Sequence, residues 1–215
     1  MRDDAQRHLA QLLIRYPVLS AQAEPITQLT DRLITVFRAG GKLLVCGNGG
    51  SAADSDHIVG EMMKGFCLPR ALPADRVATL VACCPAEGER LARMLQGGLP
   101  AISLGAHAAL MTAVLNDTAA EMVFAQQVYA LGKPGDVLLG LSTSGNAGNV
   151  IAALRVAKAF GLATLGCCGA LPARMDQVCD TVIHVPETET YKIQELHLPV
   201  YHAICLAVET ELFGA

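Results

Sequence analysis

The sequence predicts an α/β fold in three layers, with a doubly wound and mainly parallel sheet covered by helices on both faces. Two observations predict it: short apolar segments of strand length recur along the chain, and stretches with helical periodicity separate them. With 215 residues, 52% of them hydrophobic, the chain can bury one core and does not require two. We therefore expect a single domain over residues 1–215.

The first forty residues predict two N-terminal helices. Residues 3–39 carry apolar side chains at helical spacing, with a break at Pro17, and the pair Gly40 and Gly41 ends the second helix. The segments that have the length and composition of buried strands are 42–46, 101–104, 137–141, 163–167 and 182–185. The helical patterns between and after them are 51–64, 118–131, 146–160 and 192–213. Such alternation is typical of a parallel sheet.

Residues 67–99 interrupt this alternation. They contain several prolines and two helix-like pieces around 77–82 and 87–95. We interpret the segment as a helical insertion in the domain.

Charge and composition exclude some classes of protein. A net charge of -4 gives no basic surface for nucleic acid, so we expect no nucleic-acid partner. The charged N-terminus and the lack of a long apolar run predict a cytoplasmic protein without a membrane partner. The eight cysteines have no CxxC spacing and are interpreted as reduced, mostly buried thiols. Only 17% of the residues are charged, which favours a homo-oligomer that covers apolar surface.

Two loops rich in glycine and hydroxyl side chains each connect a predicted strand to a predicted helix, at 46–54 and 141–149. Glycines let backbone N–H groups approach an anion, and the following helix N-terminus attracts negative charge. An ordinary capped turn would explain one such residue but not the cluster. Both loops follow strands, where ligands of open α/β sheets bind. The predicted phosphate-binding residues are Asn48, Gly49, Gly50, Ser51, Ser142, Thr143 and Ser144.

An ordered set of four motifs resembles the sugar isomerase (SIS) domain of the phosphoheptose isomerase type. The motifs are Gly-Asn-Gly-Gly-Ser at 47–51, Asn-Asp at 116–117, Leu-Ser-Thr-Ser-Gly-Asn at 141–146 and Lys-Ile-Gln-Glu-Leu-His at 192–197. The resemblance covers residues 30–213 apart from the insertion. It implies a homotetrameric aldose–ketose isomerase of a phosphorylated sugar, with sedoheptulose 7-phosphate as the first candidate and glycero-manno-heptose 7-phosphate as its product. It also implies that Asn116 and Asp117 contact the substrate.

His57 and Glu61 are four residues apart, so they share one face of the helix that follows the first loop. A lone histidine there is more often structural than catalytic. The resemblance implies that Glu61 and His202 form the acid–base pair. It also implies a divalent metal ion, with zinc first, bound by His57, Glu61, Gln194 and His202. Gln194 would also contact the substrate, although it lies eight residues and about 12 Å of helix rise from His202.

This set of groups suits proton transfer through a cis-enediol. Glu61 would move the proton between two neighbouring carbons, His202 would move a proton between the oxygens, and the metal ion would polarise the carbonyl. Two alternatives keep the fold. One is a non-catalytic phosphosugar-binding SIS protein that regulates a partner such as the replication initiator, a group that lacks the glutamate and the final histidine. The other is a sugar-phosphate sensor or lyase.

The sequence departs from the family pattern at three positions. Gly65, next to Lys64, stands where an arginine is usual, Ala147 where a serine is usual, and Cys168 where a threonine is usual. Together with the insertion, these departures concern the identity of the sugar and leave the acid–base pair in place.

Overall fold

The structure, a computed structural model that describes residues 1–214, contains a five-stranded sheet in the order β2-β1-β3-β4-β5, with every neighbouring pair parallel. The strands are β1 Leu43–Cys46, β2 Ala101–Ser103, β3 Val137–Leu141, β4 Ala163–Cys168 and β5 Thr181–His184. All five predicted strands are therefore present, and the α/β fold class is confirmed.

The helices cover both faces of this sheet. They are α1 Asp3–Arg15, α2 Ala23–Arg38, α3 Gly50–Met63, α4 Ala74–Cys83, α5 Gly88–Met94, α6 Ala108–Asp117, α7 Met122–Leu131, α8 Gly148–Ala159 and α9 Thr190–Phe213. Short 3₁₀ turns lie at Pro17–Gln22 and Arg174–Gln177. The predicted insertion contains α4 and α5, which pack against each other.

The helix predicted at 118–131 is wrong at its start, and a helix before it was missed. The structure has α6 up to Asp117, a turn, and then α7 from Met122. Alanine, leucine and other apolar residues make up most of α6, and most of its side chains are exposed. It therefore lacks the opposite polar and apolar faces by which a helix is recognised in a sequence.

Alternation along the strands divides the core between the two faces. Leu43 and Val45 pack with residues of α1, α2, α3 and α9, whereas Leu44 and Cys46 pack with residues of α6, α7 and α8. Successive strand side chains point to opposite faces, so two separate apolar clusters form. This is the three-layer arrangement that the sequence predicts.

The strand order creates a crevice at the C-terminal ends of β1 and β3. From β1 the chain passes through α3 to the outer strand β2, and from β2 it crosses back over β1 to reach β3. The connections after β1 and β3 therefore diverge, which is the point in open α/β sheets where ligands bind. Both predicted phosphate loops follow these two strands.

A buried ion pair fixes the chain where α3 ends and the insertion begins. Glu209 of α9 accepts hydrogen bonds from the backbone N–H groups of residues 66–68, at 2.7, 2.8 and 3.1 Å, and from Nε of Arg70 at 2.9 Å. Arg70 also donates to the carbonyl oxygens of Met62, at 2.7 Å, and Glu61, at 3.0 Å. We call Arg70 and Glu209 the buried clamp.

All eight cysteines are free. The expected burial holds for Cys46, Cys167, Cys168 and Cys205 and fails for Cys67 and Cys83, which are exposed. Cys67 and Cys83 belong to the insertion, whose helices pack mainly on each other. Within residues 1–214, no helix combines the length and the apolar character needed to cross a membrane.

Candidate active site

Two asparagines join the predicted phosphate loops across the crevice. Asn48 donates from Nδ2 to Oδ1 of Asn149 at 2.9 Å, and Asn149 donates from its own Nδ2 to Oδ1 of Asn48 at 2.8 Å. The reciprocal pair brings the loop after β1 against the start of α8. Asn149 is missing from the predicted site, although its position in the first turn of α8 was a usable signal.

The backbone and hydroxyl groups of the two loops differ in how far they are exposed. Ser144 is exposed and Thr143 is partly buried, whereas Ser51 and Ser142 are only 2% and 6% exposed. The accessible groups of the first loop are Asn48, Gly49 and Gly50, the last of which is the first residue of α3. Gly49 has a φ of 57°, which disfavours any side chain there. Of the predicted hydroxyls, those of Thr143 and Ser144 are best placed to reach an anion.

A cleft of about 200 Å³ opens beside the second loop. It lies between that loop and the connections that follow β4 and β5. Its polar lining residues are Thr143, Ser144, Asn146, Glu187, Thr188 and Thr190. A small polar ligand held at the second loop can extend into this cleft.

Three of the four predicted metal or acid–base residues meet between α3 and α9. Nε2 of His57 lies 3.3 Å from Oε1 of Glu61 and 3.4 Å from Nε2 of His202. The second carboxylate oxygen of Glu61 accepts a hydrogen bond from Nζ of Lys64 at 2.8 Å. Burial, reinforced by the nearby His57, lowers the pKa of His202 and so favours the neutral ring.

Gln194 lies at the other end of the same two helices. Its side-chain nitrogen is 2.6 Å from the position that a Cβ on Gly50 would take, so it packs against the start of α3. Gly50 precedes His57 by seven residues, or about 10 Å of helix rise. Within this chain, Gln194 therefore does not join His57, Glu61 and His202.

Asn116 and Asp117 end α6 with exposed side chains. Nδ2 of Asn116 donates to Oδ1 of Asp117 at 2.9 Å. Among the described contacts, neither side chain is bonded to a phosphate loop or to the histidine cluster. Their predicted contact with the substrate stays a prediction.

Two further residues surround His57 on the side away from Glu61. The hydroxyl of Tyr201 is 3.1 Å from Oδ1 of Asp54 and 3.1 Å from Nδ1 of His57. Burial and the neighbouring Asp54 raise the pKa of Tyr201, so its hydroxyl keeps its proton, and burial raises the pKa of Asp54. Asp54 lies three residues before His57, a spacing that could have revealed it; no sequence signal pointed to Tyr201.

The departure from the family pattern at Gly65 has a local cause. A Cβ at this position would lie 2.7 Å from the carbonyl oxygen of Leu68, and its N–H is bonded to Gln96 of the insertion. An arginine side chain therefore does not fit without movement of the backbone. Lys64 next to it supplies a cation to Glu61 instead.

Another cluster has metal-binding side chains but unsuitable geometry. Cys168, Asp176 and His184 place one ligand atom each within 4.8 Å of the others, the only such group among residues 1–214. However, His184 faces Asp176 with Nε2, at 2.8 Å, and Cys168 with Nδ1, at 3.4 Å, so a single ring nitrogen cannot share one ion with both. Burial also raises the pKa of Cys168 to about 12, which keeps the thiol protonated.

The fold and the paired loops define a class of protein. The SIS domain family matches residues 11–94 and 86–169 of this chain, most of its length. The phosphoheptose isomerase of Roseiflexus sp. is 39% identical over 204 residues, which cover 95% of this chain and 90% of that protein. That of Crocosphaera subtropica is 44% identical over 178 residues, which cover 83% and 78%.

Solved structures agree. The phosphoheptose isomerase from Neisseria gonorrhoeae has a TM-score of 0.73 and 30% identity and covers 95% of this chain and 96% of its own. The phosphoheptose isomerase from Francisella tularensis has a TM-score of 0.74 and 26% identity, with 94% and 92% covered. The chain belongs to the phosphoheptose isomerase family of SIS-domain enzymes.

Proposed function

We propose that the protein is a phosphosugar isomerase that converts sedoheptulose 7-phosphate into glycero-manno-heptose 7-phosphate. The observation that carries the proposal is that His57 contacts both Glu61 and His202, on helices that begin at or near the phosphate loops. The names of the curated relatives support the reaction. They disfavour the alternative of a non-catalytic regulator, and so does the presence of both Glu61 and His202.

The phosphate is held at the crevice. The starts of α3 and α8 would offer free backbone N–H groups to an anion there, and the helix dipoles favour its negative charge. Thr143 and Ser144 add hydroxyl donors without any positive side chain. Fixing the phosphate in this way holds the sugar so that its carbonyl end is oriented for proton transfer.

Glu61 and His202 divide the proton transfers between them. Glu61 removes a proton from C1 of the ketose and returns it to C2, which gives a cis-enediol between the two steps. His202 carries the proton from the C1 hydroxyl oxygen to the C2 oxygen, a task that requires a neutral ring, which the lowered pKa of His202 favours. Lys64 holds the second oxygen of Glu61 and so orients the first.

A divalent ion, with zinc first, would be held by His57, Glu61 and His202. Nε2 of His57 lies 3.3 Å from Glu61 and 3.4 Å from His202, whereas the ligand atoms of Glu61 and His202 themselves lie more than 4.8 Å apart, so a side chain would have to rotate for all three to hold one ion. Gln194, the fourth predicted ligand, lies outside this group. When bound, the ion would polarise the sugar carbonyl.

We also propose a homotetramer as the working form. Large apolar side chains are exposed on helices at different positions of the chain, with Ile14 68%, Leu110 41% and Leu115 50% exposed. Packing of these helices against other copies of the chain would remove this apolar surface from water. Light scattering at micromolar concentration tests this, and a monomer would contradict it.

Product analysis tests the proposed reaction. The purified protein is incubated with heptulose, hexulose and pentulose phosphates, and the products are identified by NMR. We expect the seven-carbon ketose to give its aldose isomer without loss of carbon. Cleavage into smaller fragments would indicate a lyase, and binding of a phosphosugar without conversion would indicate a sensor or a regulator.

A further inference from the structure

A tyrosine and an aspartate lie at the Nδ1 edge of the His57 ring. We propose that Asp54 and Tyr201 are positioning residues that keep a proton on Nδ1 of His57 when the ring carries only one. The Nε2 lone pair then faces Glu61 and His202. This inference deepens the proposed function, because it concerns the same site.

Counting protons fixes the direction of each hydrogen bond. The hydroxyl of Tyr201 has one proton and lies 3.1 Å from Oδ1 of Asp54 and 3.1 Å from Nδ1 of His57. A carboxylate only accepts, so the hydroxyl donates to Asp54. Its oxygen can then only accept from the second neighbour, and Nδ1 of His57 must carry the proton.

The consequence appears at the opposite edge of the imidazole. With the proton on Nδ1, Nε2 has a free lone pair and lies 3.3 Å from Oε1 of Glu61. Two acceptors then face each other, an arrangement that attracts a proton or a metal cation between them. With the other tautomer, Nε2 would donate to Glu61, and the carboxylate would lose basicity.

The contacts of Asp54 and Tyr201 suit this role. Oδ2 of Asp54 is buried without a hydrogen-bond partner among residues 1–214, so the carboxylate depends on the Tyr201 hydroxyl. The Tyr201 ring also meets the rings of His57 and His202 edge to face, with centroids 5.4 and 5.0 Å apart. Both residues lie on long helices, α3 and α9, which keep them in place.

The tautomer can be measured directly by long-range ¹H–¹⁵N NMR of the chelator-treated protein at mildly alkaline pH. His57→Gln identifies the signals of His57 among the six histidines. We expect the proton on Nδ1 in the parent protein. Tyr201→Phe removes the oxygen that accepts the Nδ1 proton. Asp54→Asn can donate its amide N–H to the Tyr201 oxygen, so that the hydroxyl donates to Nδ1 instead. Both variants should therefore increase the form of His57 with its proton on Nε2. Tyr191→Phe, an exposed tyrosine on the same helix, is the matched control and should leave the spectrum unchanged.

The inference is overturned if the parent carries the proton on Nε2, or if neither variant changes the tautomer while both remain folded by circular dichroism. Binding of Zn²⁺ alone, measured by competition with a chelator, gives a second readout. Loss of an outer hydrogen bond to a ligating histidine should weaken Zn²⁺ binding about 10- to 100-fold in Tyr201→Phe but not in Tyr191→Phe. Equal affinities would count against the role.

The kinetic signature is a lower kcat with an unchanged KM for the phosphosugar, because Tyr201 touches neither phosphate loop. An equal loss in the Tyr191→Phe control would contradict it. The NMR result does not depend on activity or on bound metal. If the protein has no isomerase activity, the proposed function is refuted. The NMR spectrum still shows which nitrogen of His57 carries the proton.

Discussion

Removal of the guanidinium from the buried clamp should destabilise the fold far more than removal of a surface arginine. Arg70 and Glu209 have side chains only 1% exposed, and Arg70→Met leaves the Glu209 carboxylate buried without its counter-ion. The variant also frees the carbonyl oxygens of Glu61 and Met62, which accept from Arg70 at 3.0 and 2.7 Å. Breaking one partner of a buried pair costs about 3 to 5 kcal/mol.

Three backbone N–H groups still stabilise the carboxylate in the variant, so we expect a loss of about 3 kcal/mol, the lower end of that range. Urea unfolding at fixed protein concentration measures it as a lower midpoint with an unchanged slope. Arg90→Met is the matched control, because Arg90 forms an exposed pair with Glu87, with side chains 63% and 57% exposed. The control should lose less than about 1 kcal/mol. A loss in Arg70→Met no larger than in the control would refute the reasoning.

Three further predictions concern pH, phosphate and metal. Burial alone would raise the pKa of Glu209, but the N–H groups of residues 66 and 67 and Arg70 outweigh it and lower the pKa. The folded state should therefore lose stability as the pH falls below about 4.3, the ordinary glutamate value, and acid titration of unfolding measures this. Ser144→Ala should weaken phosphosugar binding by about 1.5 to 3 kcal/mol in calorimetry, against an exposed Ser20→Ala control. Elemental analysis of protein purified without chelator should find a divalent metal, and His57→Gln should lose it; an empty parent protein would contradict this.

Local patterns were sufficient to predict the sheet and part of the site. The apolar strands and the shared helix face of His57 and Glu61 are set by residues close together in sequence, so the periodicity of the sequence predicts them. The two phosphate loops could be predicted as one site because strand ends of a parallel sheet meet at one edge. Helix α6 was not predicted because its apolar residues lie on all sides of the helix and do not form one apolar face.

Contacts between distant parts of the chain could not be predicted. Asp54 and Tyr201 are 147 residues apart, and Arg70 and Glu209 are 139 apart. No motif joins either pair, because their contacts depend on how α3, α9 and the insertion pack. Joint ligation by Gln194 and His202 requires both side chains to converge along α9, and in the structure the Gln194 side chain packs instead against the start of α3.

The most direct test of the central claim follows hydrogen exchange at carbon during turnover in deuterated water. If Glu61 moves the proton between C1 and C2, the parent protein should introduce deuterium into sedoheptulose 7-phosphate. Glu61→Gln keeps the shape of the side chain but cannot accept the proton, so exchange and turnover should fall by at least about 10²- to 10⁴-fold while binding persists. Glu89→Gln, at an exposed glutamate of the insertion, should behave as the parent does. Undiminished exchange in Glu61→Gln, or none in the parent, would contradict the assignment of Glu61 as the base.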